Sequence, residues 1–192
     1  MKGKQSKKKE IVVPGVSLLT DHDIYLFKEG NHFGLYEKLG SHPMTIDGRE
    51  GTLFAVWAPN AATVSVIGDF NGWNGLCHPM MSRGLTGLWE LFMPDLPEGT
   101  LYKYEIRSRE DNVLLRKADP YAVASEVRPR TASIVHDLSS YTWHDGTWMA
   151  VRSEWDPLTA PLSIYEVHLG SWMRVPEENN RWLTYKELAA KL

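Results

Sequence analysis

Leu101–Arg109 reads LYKYEIRSR. Tyr102, Tyr104 and Ile106 alternate with Lys103, Glu105 and Arg107, so an extended chain turns its apolar side chains one way and its charged ones the other. One face belongs to a core. The other is expected to be solvated or to meet a polar ligand.

The same period of two recurs on both sides. LFAVWAP (53–59), TVSVIG (63–68), LWELFMP (88–94) and TASIVHD (131–137) are further strand candidates. Turn signals separate them at Pro59-Asn60, Asn71-Gly72, Pro97-Glu98-Gly99 and Asp111-Asn112. Short strands punctuated in this way imply a mainly β protein built as an antiparallel, immunoglobulin-like sandwich. Upstream, residues 17–40 read as two short helical pieces, with Leu19, Ile24 and Phe27 as an apolar stripe and a break at Gly30-Asn31.

Downstream of Tyr141 the pattern loosens. Residues 141–160 carry three Trp and read as an extended linker. Residues 163–172, SIYEVHLGSW, form an apolar run ending at Gly170 and Ser171, as a buried parallel strand does. Thr184 and Glu187 then form a capping box, with Leu183 and Leu188 at the positions of a hydrophobic staple. A strand followed by a helix start is the beginning of a βαβ unit, and a parallel sheet needs neighbours on both sides. The expected division is therefore 1–29, an N-terminal arm and short helix; 30–140, the sandwich; 141–160, the linker; and 161–192, the first strand and helix start of a truncated parallel domain.

Of the 192 residues, 43% are hydrophobic and 23% charged, which is enough apolar material for a core. The net charge of −3 gives no electrostatic case for nucleic acid. The exception is MKGKQSKKKE (1–10), which reads as a solvated arm. Cys77, the single cysteine, excludes an internal disulfide and suits a reducing, cytoplasmic setting. No apolar run approaches the ~18 residues of a membrane span, and the basic start lacks the apolar segment of a signal peptide.

Among the seven His there is no metal-ligand spacing, and neither a phosphate loop nor a nucleophile elbow occurs. No cofactor or metal is expected. Glu166 and His168 share a strand face and read as a structural pair. The most informative short motif is GDFNGW (68–73). As structure, Asn71-Gly72 makes a hairpin-type turn, Asp69 holds backbone amides, and Phe70 and Trp73 anchor a corner. As a site, Trp73 beside Asp69 and Asn71 suits a sugar ring, whose CH face stacks on the indole while its hydroxyls meet the polar groups.

FAVWAPNAATVSVIGDFNGWNG (54–75), GLWELFMPDLPEGTLYKYEI (87–106), KADPYA (117–122), RPRTASIV (128–135) and SIYEVHLGSW (163–172), together with LYEKLGSHP (35–43), resemble the bacterial glycogen branching enzymes, the 1,4-α-glucan branching family. The resemblance runs over about residues 35–192. It implies a carbohydrate-binding module over about 30–140 and the opening of a (β/α)₈ barrel from about 160, with SIYEVHLGSW as barrel strand 1. It implies an enzyme that cuts α-1,4-glucan chains and transfers them to a 6-hydroxyl in glycogen synthesis. The catalytic carboxylates of that family lie after later barrel strands, so no catalytic residue is expected in this chain, which is expected to be inactive alone. The implied partners are α-1,4-glucan or glycogen and the rest of the barrel, with no nucleic acid or membrane.

Similar modules, including the glycogen-binding domain of the AMP-activated kinase β subunit, hold glucose with two tryptophans, a lysine and a small polar residue near the last strand. Trp73 matches the first tryptophan and Lys103 the lysine, while Thr131 and Ser133 fall near the polar position; Asn71 completes the carbohydrate-binding candidates. The second tryptophan, expected around Asn112–Leu115, is absent, which removes a platform of about 1–3 kcal/mol by analogy with base stacking. One rival is a free-standing α-glucan-binding or scaffold module with a docking tail. Another is a debranching enzyme or trehalose-releasing hydrolase with the same front module. The GSW ending at 170–172 favours branching. Trp57 and Trp89 are expected in the core, and Trp143, Trp148 and Trp155 are expected to pin the linker.

Overall fold

The computed structural model describes residues 15–192. The Lys-rich start lies outside the described residues. The chain divides into two compact units, at Tyr141 and Thr142.

In the first unit, two antiparallel sheets face each other. One is ordered β1 (Gly40–Ile46), β2 (Arg49–Trp57), β5 (Leu88–Pro94) and β4 (Met81–Ser82). The other is ordered β3 (Ala61–Gly68), β6 (Leu101–Ser108), β9 (Ser133–Ile134) and β8 (Ala124–Ser125), with β7 (Leu114–Lys117) also pairing with β6. The expected strands at 53, 63, 88 and 101 are present. TASIVHD shrinks to a two-residue strand, and β1, β4, β7 and β8 are additions. The Asp47-Gly48 turn joins β1 to β2, with both residues at positive φ, 49° and 77°. The Asp111-Asn112 turn joins β6 to β7, with Asn112 at φ 58°.

Alternation decides what lies between the sheets. Phe54, Val56, Trp89 and Leu91 point inward from the first sheet, and Val64, Val66, Tyr102 and Tyr104 from the second. Phe54 meets Tyr102 edge-on, with ring centroids 4.9 Å apart. The first sheet is buried on its other face too, where Ala55 and Leu88 pack with Leu19, Leu39, Ile24 and Tyr121. Helix α1 (Asp21–Lys28) starts at a capping box in which the Thr20 hydroxyl accepts from the Asp23 amide. Hydrogen bonds from Thr20 and His32 hold the Asp23 carboxyl well below the usual carboxylate range. The helix ends at Lys28, with Glu29 as its C-cap, just before the expected break at Gly30-Asn31. Trp89 is core, but Trp57 is 51% exposed and leans edge-on against Phe27. It follows the last buried position of β2, where the strand leaves the sheet.

Asp119 is one of two buried carboxyls described in this unit, with Glu90. Its Oδ2 accepts from the Tyr102 hydroxyl at 2.6 Å and the Tyr104 hydroxyl at 3.0 Å. Its Oδ1 accepts from the Tyr121 amide at 2.8 Å, and its own amide donates to Ser133 Oγ at 2.9 Å. Through its carboxylate and its amide, Asp119 thus ties the long strand β6 to the short β9 and to the irregular segment after β7. Burial pushes the Asp119 carboxyl above its ordinary value despite these donors, and pushes both tyrosine hydroxyls upward.

The second unit covers residues 142–192. Helix α2 (Gly146–Arg152) occupies what reads in sequence as an extended linker. Residues 163–168 form no strand, contrary to expectation, and helix α3 (Leu169–Trp172) follows directly. A strand exists only through its ladder partners, and no described strand pairs with this run; Ile164 and Tyr165 are 82% and 71% exposed. A truncated barrel is accordingly not formed. His168 bonds Ser171 through Nδ1 at 2.7 Å rather than pairing with Glu166. Trp143, Trp148 and Trp155 are all exposed. A two-strand ribbon of β10 (Arg174–Val175) and β11 (Arg181–Trp182) precedes helix α4 (Tyr185–Ala189). The capping box at Thr184 forms as expected, and Leu188 is buried. Arg181 grips Glu187 with two nitrogens, at 3.0 and 2.9 Å, and draws the Glu187 carboxyl down to about 2.

Replacing Asp119 by Ala is expected to cost about 2–5 kcal/mol in urea unfolding, because two buried phenols lose their acceptor. The pH dependence has a defined sign. A carboxyl raised on folding contributes most below its ordinary value of 3.8 and loses that contribution as pH rises through its folded value. The stability advantage of the parent chain over Asp119→Asn should therefore shrink from pH 3.5 to pH 6; an advantage that grows would exclude a raised Asp119.

Candidate functional site

The outer face of the second sheet is set by the register of β3 against β6. Ile67 lies opposite Lys103 and Ser65 opposite Glu105, while β7 places Arg116 opposite Glu105. Lys103, Glu105 and Arg107 thus leave the face that Tyr102 and Tyr104 do not use. The Lys103 ammonium donates to Thr131 Oγ1 at 2.7 Å, which joins two of the expected binding residues.

The GDFNGW corner is built over this face. Gly68 has no room for a side chain, because a Cβ there would lie 2.2 Å from the Leu101 carbonyl. Asp69–Asn71 forms a 3-10 turn that ends on Gly72 at φ 63°, so Asn71-Gly72 is not a hairpin turn. Asn71 acts inside the corner. Its Oδ1 accepts from the Gly68 amide at 3.0 Å, and its Nδ2 donates to the Val66 carbonyl at 3.0 Å and meets His78 Nδ1 at 2.8 Å. With both ends of its amide used by the corner, it is a structural residue rather than a hydroxyl partner.

Trp73 is fixed at three points. Its amide donates to the Gly68 carbonyl at 2.8 Å, and its indole Nε1 donates to Asp69 Oδ1 at 2.7 Å. Its carbonyl accepts from Arg116 at 3.3 Å, and Arg116 is itself held by Glu105 at 3.0 Å. These contacts keep Trp73 at φ 59°, a conformation that a bulky residue adopts only when its surroundings impose it. Asp69 thus orients the indole instead of holding backbone amides.

Ser133 does not join the site. It is 1% exposed and its hydroxyl serves Asp119. The small polar group near Lys103 is Thr131, which is exposed. Where a second aromatic platform is expected, β7 and the turn before it present Val113, Leu114 and Leu115, exposed by 45%, 45% and 39%. Glu105 and Arg116 are the positioning residues that sequence reasoning missed. The alternation of β6 marks Glu105, but only the β6–β7 register reveals its partner. Among the described residues no group of three or more His, Cys, Asp and Glu gathers to hold a metal, and no helix is long and apolar enough to cross a membrane.

Residues 38–122 match the family model of carbohydrate-binding module 48, the isoamylase N-terminal domain. The chain is 54% identical over 174 residues to the 1,4-alpha-glucan branching enzyme GlgB of Nitrosococcus oceani, covering 91% of this chain and 23% of that protein. This chain is similar to the 1,4-α-glucan branching enzymes over most of its own length. GlgB of Gloeobacter violaceus is 55% identical over 177 residues, covering 92% of this chain and 24% of that protein. The chain spans about a quarter of the length of these branching enzymes. A pullulanase from Bacillus acidopullulyticus overlays with a TM-score of 0.42 at 25% identity, covering 53% of this chain and 12% of that one. The sandwich of this chain is the region that carries the module match, and it contains Trp73 and Lys103.

Arg116→Ala should shift and broaden the Trp73 indole resonance while lowering stability by no more than about 1 kcal/mol, since Arg116 is half exposed. An unchanged indole signal would remove Arg116 from the support of Trp73.

Proposed function

We propose that this chain is the module-bearing part of a 1,4-α-glucan branching enzyme and that its sandwich holds α-1,4-glucan on the outer face of the second sheet. The observation that carries the binding reading is the restrained Trp73 held over the sheet face that also presents the Lys103–Thr131 pair. A fixed indole offers a stacking surface without an ordering cost on binding. Lys103 offers an ammonium and Thr131 a hydroxyl to the ring's oxygens. The exposed leucines of β7 are a poorer second platform than an aromatic, so a modest affinity is expected.

The parent reaction under this reading is cleavage of an α-1,4 bond and transfer of the freed chain to a 6-hydroxyl with retention of configuration. That chemistry needs a carboxylate nucleophile and a carboxylic acid/base about 5 Å apart. No such pair is assigned among these residues. The module's part is to hold a glucan chain while a barrel, the expected partner of the exposed 158–169 run, carries out the transfer. A cytoplasmic location is part of the proposal and suits the exposed thiol of Cys77.

A free-standing glucan-binding module is the second reading, favoured by the separate compactness of the first unit. Titration with maltoheptaose tests the binding they share. Trp73→Ala is expected to weaken it by roughly 5- to 150-fold, the range of losing one stacking platform of about 1–3 kcal/mol. Equal affinity in the variant would refute the Trp73 site. The same preparations are expected to leave amylose unbranched; branching by the chain alone would overturn the division of labour.

A further inference from the structure

A cleft of about 260 Å³ opens elsewhere on the first unit and shares no residue with the Trp73 face. Its walls are the 3-10 turn Leu35–Glu37, the start of β1, the segment between β7 and β8, and the turn after β9. Its floor reaches the buried Asp119 network. Tyr121 lines the cleft and donates its amide to Asp119 Oδ1 at 2.8 Å, and Ser41 lines it from β1. Next to it, His42 Nε2 donates to the Leu39 carbonyl at 3.1 Å, which leaves Nδ1 as an acceptor. Burial holds the His42 imidazole below its ordinary pKa, so it is neutral at pH 7.

The free chemistry of the cleft is narrow. Asp137 is committed to the amide and hydroxyl of Ser139, both at 2.8 Å, and His136 to Glu98 at 2.5 Å. What remains is the Glu37 carboxylate, the His42 acceptor, and the rings and phenols of Tyr36 and Tyr121. Tyr36 is 66% exposed, while Tyr121 is half-buried and packs over Gly40. Neither Lys nor Arg lines the cleft, which disfavours phosphorylated or carboxylated ligands. Ring faces and phenols with an imidazole acceptor and one carboxylate, which can accept from hydroxyls, fit a polyhydroxyl ring. The volume falls below the ~300–1,000 Å³ of sites for drug-sized ligands, so it suits one or two rings rather than a long chain.

We propose that this cleft is a second saccharide subsite, taking a neutral pyranose or the end of a short α-glucan between Tyr36 and Tyr121. The choice of an α-glucan rests on the function proposed above; the geometry does not involve Trp73. With two separated subsites, a branched or coiled glucan engages the module at two points, and the second contact is made at high effective concentration.

The test uses the 192-residue chain carrying Trp73→Ala, labelled with ¹⁵N and titrated with maltose. Saturable amide shifts at Tyr36, His42 and Tyr121 are expected at millimolar sugar. On that background Tyr36→Ala is expected to weaken binding about fivefold or more, the low end of aromatic stacking, and Glu37→Ala to weaken it as well. Absence of saturable shifts at these residues overturns the proposal, as does undiminished affinity in both added variants. Tighter binding of glucosamine than of glucose would reassign the cleft to cationic ligands and overturn the neutral class. In the parent chain, maltoheptaose shifts confined to Trp73, Lys103 and Thr131 would reject the cleft and leave the Trp73 reading standing.

Discussion

The sandwich is organised around one buried carboxylate. Asp119 accepts two tyrosine hydroxyls from β6 and a backbone amide from its own segment, and its amide engages Ser133 on β9. Those strands share few ladder positions, since β9 meets β6 at only two residues. The weak end of the second sheet is therefore secured by side chains rather than by backbone pairing. A charge in that position carries a desolvation cost, and here both carboxyl oxygens accept from donors within 3.0 Å.

The strand that presents the tyrosines inward presents Lys103 and Glu105 outward. Core and candidate site are two sides of one alternation, so any slip of β6 by one residue would exchange them. Trp73 is coupled to the same strand, through Gly68 on one side and through Arg116 and Glu105 on the other. The indole is held by the sheet and not only by its loop.

The period-two segments and the capping box at Thr184 were legible in the sequence, because local patterning and side-chain spacing decide them. Lys103 was legible from its face. Ser133 and Asn71 were misassigned for a physical reason: a small polar residue looks the same whether it meets solvent or serves a buried amide, and only its partners distinguish the two. Run 163–169 carries the residues of a buried strand yet forms none here, since a ladder requires neighbours that a single segment cannot supply. Trp57 reads as core from its strand, but it sits at the point where β2 leaves the sheet. Arg116 gave no signal at all, as its role depends on a register between strands joined by a turn.

The covering of the first sheet's outer face bears on what counts as a domain. The family match begins at residue 38, just before β1. The packed unit begins earlier: Leu19 is buried against Ala55, Leu39 and Leu88, and Ser17 bonds the buried Glu90 at 2.5 Å. The inherited unit of sequence and the physical unit of folding thus differ by about twenty residues at this end. A module excised along its sequence boundary would be a two-layer sandwich stripped of its third layer, with an apolar sheet face and an unshielded glutamate turned to water.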